Sequence, residues 1–214
     1  VLAGWGAQHA LVYGAERSGT AIQWLTGWPV TREAALVFSP GERDLLFVCY
    51  NNHVPNARRL APDADVRPGG SSALAAALEV LAARTGRHGR LAVIGPVPAR
   101  ASDRLSAAAS QVEFLDQDYT RLRLVKSAAE LDWLRAGARM TDGAVAALAA
   151  GARPGMTEAE LCALLESGYV AAGGLTQIHY HHERSGVQTG ELVRVTDAGW
   201  ESLHRFPPGL GRLG

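Results

Sequence analysis

Pro154-Gly155-Met156-Thr157-Glu158-Ala159-Glu160-Leu161 compresses a turn and a helix start into a single short stretch. Pro followed by Gly is tight-turn chemistry. Thr157 and Glu160 then stand in capping-box register: the Thr hydroxyl can accept from the Glu160 backbone N–H, and the Glu carboxylate can accept from that of Thr157. Beyond them Leu161, Leu164, Leu165, Tyr169 and Ala172 recur at i, i+3, i+4, i+8 and i+11, the apolar stripe of an amphipathic helix. Gly173-Gly174 supplies its left-handed stop. The same signal stands upstream in Ser127-Ala128-Ala129-Glu130. The helix it opens carries Leu131, Leu134, Ala138, Val145 and Leu148 on one face, leaves Lys126 and Arg135 off it, and runs to near Gly151. Two capped helices joined by a Pro-Gly turn form a block of their own.

Toward the amino terminus the pattern changes to short apolar runs alternating with helical segments. His9 to Gly14 and Thr20 to Thr26 read as strands, the second closed by Gly27-Trp28-Pro29. Ala34 to Ser39 and Asp44 to Tyr50 are apolar runs joined by Pro40-Gly41-Glu42-Arg43, which predicts a hairpin. Ala64 to Arg67 reads as a short strand. Gly69-Gly70-Ser71-Ser72 opens a helix in which Leu74, Leu78 and Leu81 share a face, ending near Gly86. That glycine pair lacks both the Lys of a P-loop and the spacing of a dinucleotide fingerprint, so it reads as a helix-start loop. Leu91 to Ile94, a helix around Ala101 to Ser110 and a strand from Gln111 to Leu115 complete the series. The fold class expected is α/β: a mixed sheet flanked by helices over residues 1–122, then a helical block that opens residues 123–214.

Composition excludes several classes. Lys plus Arg and Asp plus Glu are 21 each, and this balance argues against a nucleic-acid or membrane-surface binder. Hydrophobic residues at 47% suffice for a buried core. No apolar run approaches the ~20 residues of a spanning helix. The chain opens at Val1 with no charged-then-apolar leader, so a cytoplasmic location is expected. Cys49 and Cys162, far apart, read as buried free thiols.

Val125-Lys126-Ser127, Glu130-Leu131, Ala138 and Thr141-Asp142 resemble the first helix of the pita-bread metallohydrolases, and Pro154 to Leu161 resembles the start of their second. Ile22 to Trp28 resembles the second strand and turn of the amino-terminal domain found on the creatinase/aminopeptidase P side of that superfamily. The resemblance, spanning Leu11 to about Gly174, implies a creatinase-like amino-terminal domain over 1–122. It implies the start of a pita-bread domain, incomplete, over 123–214. It also implies a peptide or small amide substrate, a homodimer, and a divalent metal centre (Mn, Co or Zn) held by two Asp, one His and two Glu, with a further His toward substrate.

Within the resemblance only two positions transfer. His179, followed by Tyr180, resembles the substrate-side histidine, and Asp197 in Asp197-Ala198-Gly199 resembles the first metal ligand. A second Asp is implied further on, but the sequence there reads Trp200-Glu201-Ser202-Leu203-His204-Arg205-Phe206-Pro207-Pro208. One carboxylate is too few to hold two cations. The sequence thus predicts a catalytically silent chain. A truncated gene, a frame slip after Tyr180 and a divergent non-catalytic relative all fit the loss of pattern. The cluster His179-Tyr180-His181-His182 reads as a solvated loop, Phe206 to Gly214 as a frayed end, and His9, His53, His88 and His204, which stand alone in the sequence, as surface or satisfied core residues. Against an incomplete Xaa-Pro aminopeptidase/prolidase-type metallohydrolase stand two alternatives: a non-catalytic dimerisation or assembly module, and a small-molecule-binding α/β domain, for which no cofactor fingerprint is present.

Overall fold

The computed structural model describes residues 2–15, 20–86, 88–174 and 192–205. The chain divides into two compact units, Val1–Val125 and Lys126–Gly214. In chain order the first holds α1 (Leu2–Trp5), β1 (His9–Ala15), α2 (Thr20–Thr26), β2 (Glu33–Phe38), β3 (Leu45–Val48) and α3 (Val54–Leu60). It continues with β4 (Asp65–Pro68), α4 (Ala73–Thr85), β5 (Arg90–Ile94), α5 (Ser102–Ala108), β6 (Gln111–Phe114) and α6 (Asp116–Leu124). The second holds α7 (Ala128–Gly151), α8 (Glu158–Ala171), β7 (Val193–Thr196) and β8 (Gly199–Ser202).

The six strands of the first unit form one mixed sheet in the order β4-β3-β2-β1-β5-β6. β1, β2 and β3 are antiparallel neighbours, while β1 with β5, β3 with β4 and β5 with β6 run parallel. Pro40-Gly41 turns the β2–β3 hairpin, with Gly41 at φ +81°. The central strands are apolar on both faces because both are covered. One face carries Leu11, Tyr13, Val37, Phe47, Leu91 and Val93 against α4 and α5. The other carries Val12, Leu36, Leu46 and Val48 against α2 and α3. Each fully buried Leu or Ile here, such as Leu36, Leu46 or Ile22, contributes about 1.5–3 kcal/mol of hydrophobic stabilisation. At the end of β1 the chain passes so close to Gly95 that a Cβ there would collide with the Tyr13 carbonyl oxygen.

The expected mixed sheet flanked by helices is present, with one element reassigned. Thr20 to Thr26, expected as a strand, is a helix. Ala21 and Ile22 turn to the core, and the Thr26 hydroxyl donates to the Ile22 carbonyl at 2.7 Å, one turn back. The Gly27 N–H caps the Gln23 carbonyl at 2.8 Å with φ +77°, a left-handed stop. Its aromatic, strand-favouring composition is overruled by burial of one helical face. Two further helices, α3 and α6, carry no apolar period strong enough to announce them; α6 buries no residue at all.

In the second unit both capping boxes form. The Ser127 Oγ accepts from the Glu130 N–H at 3.2 Å and the Glu130 carboxylate accepts from the Ser127 N–H at 2.8 Å; the Thr157–Glu160 box repeats this at 3.4 and 2.7 Å. α7 and α8 then cross where both are smallest. A Cβ on Gly168 would lie 2.5 Å from the Gly143 carbonyl oxygen and 2.6 Å from the Ala147 methyl. Only Ala138 and Ala144 of α7 are buried, and none of α8. β7 and β8 pair as an antiparallel hairpin. Among the described residues no helix is long and apolar enough to cross a membrane, and neither Cys49 nor Cys162, both half-buried, is in a disulfide.

Candidate functional site

The polar residues that the sheet assembles come from positions far apart in sequence. Tyr13 lies in the buried part of β1, Glu33 opens β2, Cys49 follows β3, and Ser72 caps α4. The Glu33 carboxylate accepts from the Tyr13 hydroxyl and the Ser72 hydroxyl, both at 3.2 Å, and from the Ala73 N–H at 2.7 Å; the Cys49 thiol lies 3.9 Å away. The first backbone N–H groups of a helix attract an anion, and at α4 that anion is Glu33. The Gly69-Gly70-Ser71-Ser72 loop therefore holds a carboxylate of its own chain where a phosphate loop would hold a ligand.

Burial, then the charge and hydrogen bond of Glu33, push the Tyr13 phenol up to about 12. Burial first and Glu33 second also push the Cys49 thiol up, against an opposing pull from Arg32. Both groups stay protonated at neutral pH, and a thiol held that way is a poor nucleophile. This cluster locks the start of α4 to the sheet rather than performing chemistry. Each of its members was absent from the sequence-derived site; the one available signal was a helix start that demands an anion.

In the second unit His204 has a partner far off in the sequence. Its Nδ1 lies 2.9 Å from Asp142 Oδ1, with side chains only 13% and 15% exposed, and the Arg205 N–H donates to Asp142 Oδ2 at 2.8 Å. α7 presents a half-buried carboxylate to the segment after β8, so the imidazole is partnered. Of the other histidines, His9 Nδ1 lies 2.8 Å from the Ser39 hydroxyl, and His53 packs against Trp28 and Tyr50.

Asp197 sits on the exposed turn between β7 and β8. His179 lies outside the described residues. Among the described residues no three His, Cys, Asp or Glu side chains converge to hold a metal ion. A hard divalent cation needs several anionic donors around it, and among the described residues Asp197 belongs to no such group. The donors described do not fit the dinuclear centre that the family resemblance implied.

No known family profile matches the chain, and no curated protein matches it. Solved structures do. An X-Pro aminopeptidase from Thermotoga maritima superposes with a TM-score of 0.65 at 20% identity, covering 80% of this chain and 47% of the other. A dipeptidase from Mycobacterium ulcerans gives 0.57 at 22% identity over 80% and 46%. A prolidase from Pyrococcus furiosus gives 0.57 at 14% identity over 80% and 47%. The chain thus spans about half the length of the structures it matches, and its mixed α/β fold is that of their amino-terminal domain.

Proposed function

We propose that the chain is the amino-terminal domain and helical scaffold of a Xaa-Pro aminopeptidase/prolidase-like metallohydrolase, and that these 214 residues do not hydrolyse peptides by themselves. The first unit takes the role of the creatinase-like domain and the second that of the first helices of a pita-bread domain. What supports this is the joint order of elements: a six-stranded β4-β3-β2-β1-β5-β6 sheet followed by two box-capped helices, in a fold shared with such peptidases over 80% of the chain. Asp197 and His179 are the positions of the first metal ligand and of the substrate-side histidine on this reading, in a protein of the cytoplasm. No catalytic step is assigned to either.

The test is hydrolysis of Xaa-Pro dipeptides by the full chain with Mn²⁺ or Co²⁺, beside a chelated control. Turnover at background in both is the expected result. Chelator-sensitive turnover, with stoichiometric metal uptake by calorimetry, would overturn it. A second reading, an assembly module, is favoured by Trp133, which stands 79% exposed on α7. An exposed Trp is the kind of side chain that anchors interfaces. Sedimentation of wild type and Trp133→Ser decides between them: a dimer lost on substitution supports assembly through this helix, and a monomer at high concentration removes it.

A further inference from the structure

The two faces of the six-stranded sheet are filled differently. Behind α4 and α5 the buried side chains form one continuous cluster. On the opposite face they fall into two: one built around Ile22, Leu36 and Leu46, the other around Ala10, Ala92 and Leu115, with Ile94 packed at the edge of both. Where they fail to meet, a cleft of about 440 Å³ opens, wholly within the first unit. Its floor is Ala10, Val12, Leu36 and Ile94. Trp24 and Tyr119 form a wall, edge to face, with centroids 5.9 Å apart.

The charged side chains that line this cleft are acidic. Asp118 and Asp44 both line it. Asp118 has Arg121 at 3.8 Å. The guanidinium of Arg123 stacks over the aromatic wall, 5.3 Å from the Trp24 ring and 5.4 Å from that of Tyr119. Among the described residues neither a hydrogen bond nor an ion pair reaches the carboxylate of Asp44. Burial pushes its carboxyl above the usual range. A raised carboxyl pKa means the folded chain binds protons more readily than the unfolded one, so Asp44 lowers stability at neutral pH. A half-buried carboxylate beside an apolar cavity, with no counter-charge among the described residues, is a group waiting for a cation.

We propose that this cleft binds a small hydrophobic cation, an aryl- or alkylammonium ion whose apolar body lies on Val12, Leu36 and Ile94 and whose ammonium pairs with Asp44. The volume falls within the roughly 300–1,000 Å³ of small-molecule sites, and an apolar lining with a few polar groups at the edge is their usual composition. The ammonium goes to Asp44 because Asp118 already has a cation beside it and the aromatic wall already carries Arg123. The site is independent of any peptidase role of the chain.

Titration calorimetry with 2-phenylethylammonium and the neutral 3-phenylpropan-1-ol at pH 7 tests the proposal on the full chain. Saturable binding of the cation, about tenfold tighter than the alcohol, is expected. Asp44→Asn, which relieves an uncompensated charge and so keeps the fold, is expected to bring the cation down to the level of the alcohol and leave the alcohol unchanged. Asp118→Asn is expected to change the preference less than twofold. The proposal is overturned if neither ligand saturates, if both bind equally to the wild type, or if the preference survives Asp44→Asn. It is equally overturned if sedimentation shows a dimer that Leu122→Lys dissociates, since Leu122 is a rim residue 54% exposed and a second copy would then occupy the cleft.

Discussion

The two units use the same apolar residues to different effect. In the first, Leu36, Leu46 and Leu91 are fully buried between layers. In the second, Leu131, Leu134, Leu148, Leu161 and Leu164 are equally regular in spacing, yet all remain half-exposed. Periodicity places a side chain on a face; only a second layer takes it out of water. The sheet has a helical layer on each side, whereas among the described residues of the second unit α7 and α8 pack on each other. Among the described residues, the first unit therefore rests on burial and the α7–α8 pair on local devices: two capping boxes and one close glycine crossing.

That contrast can be broken by matched substitutions. Leu46→Ala, at the centre of the sheet, is expected to cost about 2–5 kcal/mol, and Leu134→Ala on α7 less than half as much. Chemical denaturation with hydrogen exchange, which reads each unit separately, checks this; equal losses would dissolve the distinction. Gly168→Val is expected to cost the second unit about 1–3 kcal/mol by driving a side chain into the Gly143 carbonyl. It should leave the exchange of β1 and β2 unchanged.

Smaller effects sharpen the picture. Glu33→Ala strands the Tyr13 hydroxyl and the Ala73 N–H and is expected to cost about 1–3 kcal/mol. The same cluster should make the first unit sensitive to alkali. The Tyr13 phenol sits near 12 when folded and at its ordinary 10 when unfolded. Its stabilising contribution is present below pH 10 and is lost as pH climbs toward 12, on the order of 2 kcal/mol in all. Denaturation curves across that window should show the loss in the wild type and a flatter profile in Tyr13→Phe. Least of all, Ser127→Ala is expected to cost about 1 kcal/mol, confined to the first turn of α7.

Where structure follows from contiguous residues, the sequence was a sufficient guide. Pro40-Gly41 announced the β2–β3 hairpin, Ser72 the start of α4, and Ser127-x-x-Glu130 and Thr157-x-x-Glu160 the starts of α7 and α8, because capping and turn chemistry act within four residues. α2 departs from its expected strand for the opposite reason. Its seven residues hold too little period to separate helix from strand, and the burial of Ala21 and Ile22 that decides it comes from a sheet built by other segments. The Glu33 cluster was illegible in the same way: Tyr13, Cys49 and Ser72 meet Glu33 only through strand register. His204 and Asp142 lie 62 positions apart and share a hydrogen bond that no spacing rule connects. Asp197, the one metal-ligand position carried over from the family resemblance, lies on an exposed turn, and no three potential ligands converge among the described residues.

Native-state hydrogen exchange of the intact chain tests the difference between the units most directly. The amides of β1, β2 and β5 should exchange only through global opening of the first unit. Those of α8 should exchange through a separate opening at a free energy lower by about 2 kcal/mol or more. Protection in α8 equal to that of β1 would mean that the second unit has a buried core of its own, contradicting the claim that caps and a glycine crossing are what hold it.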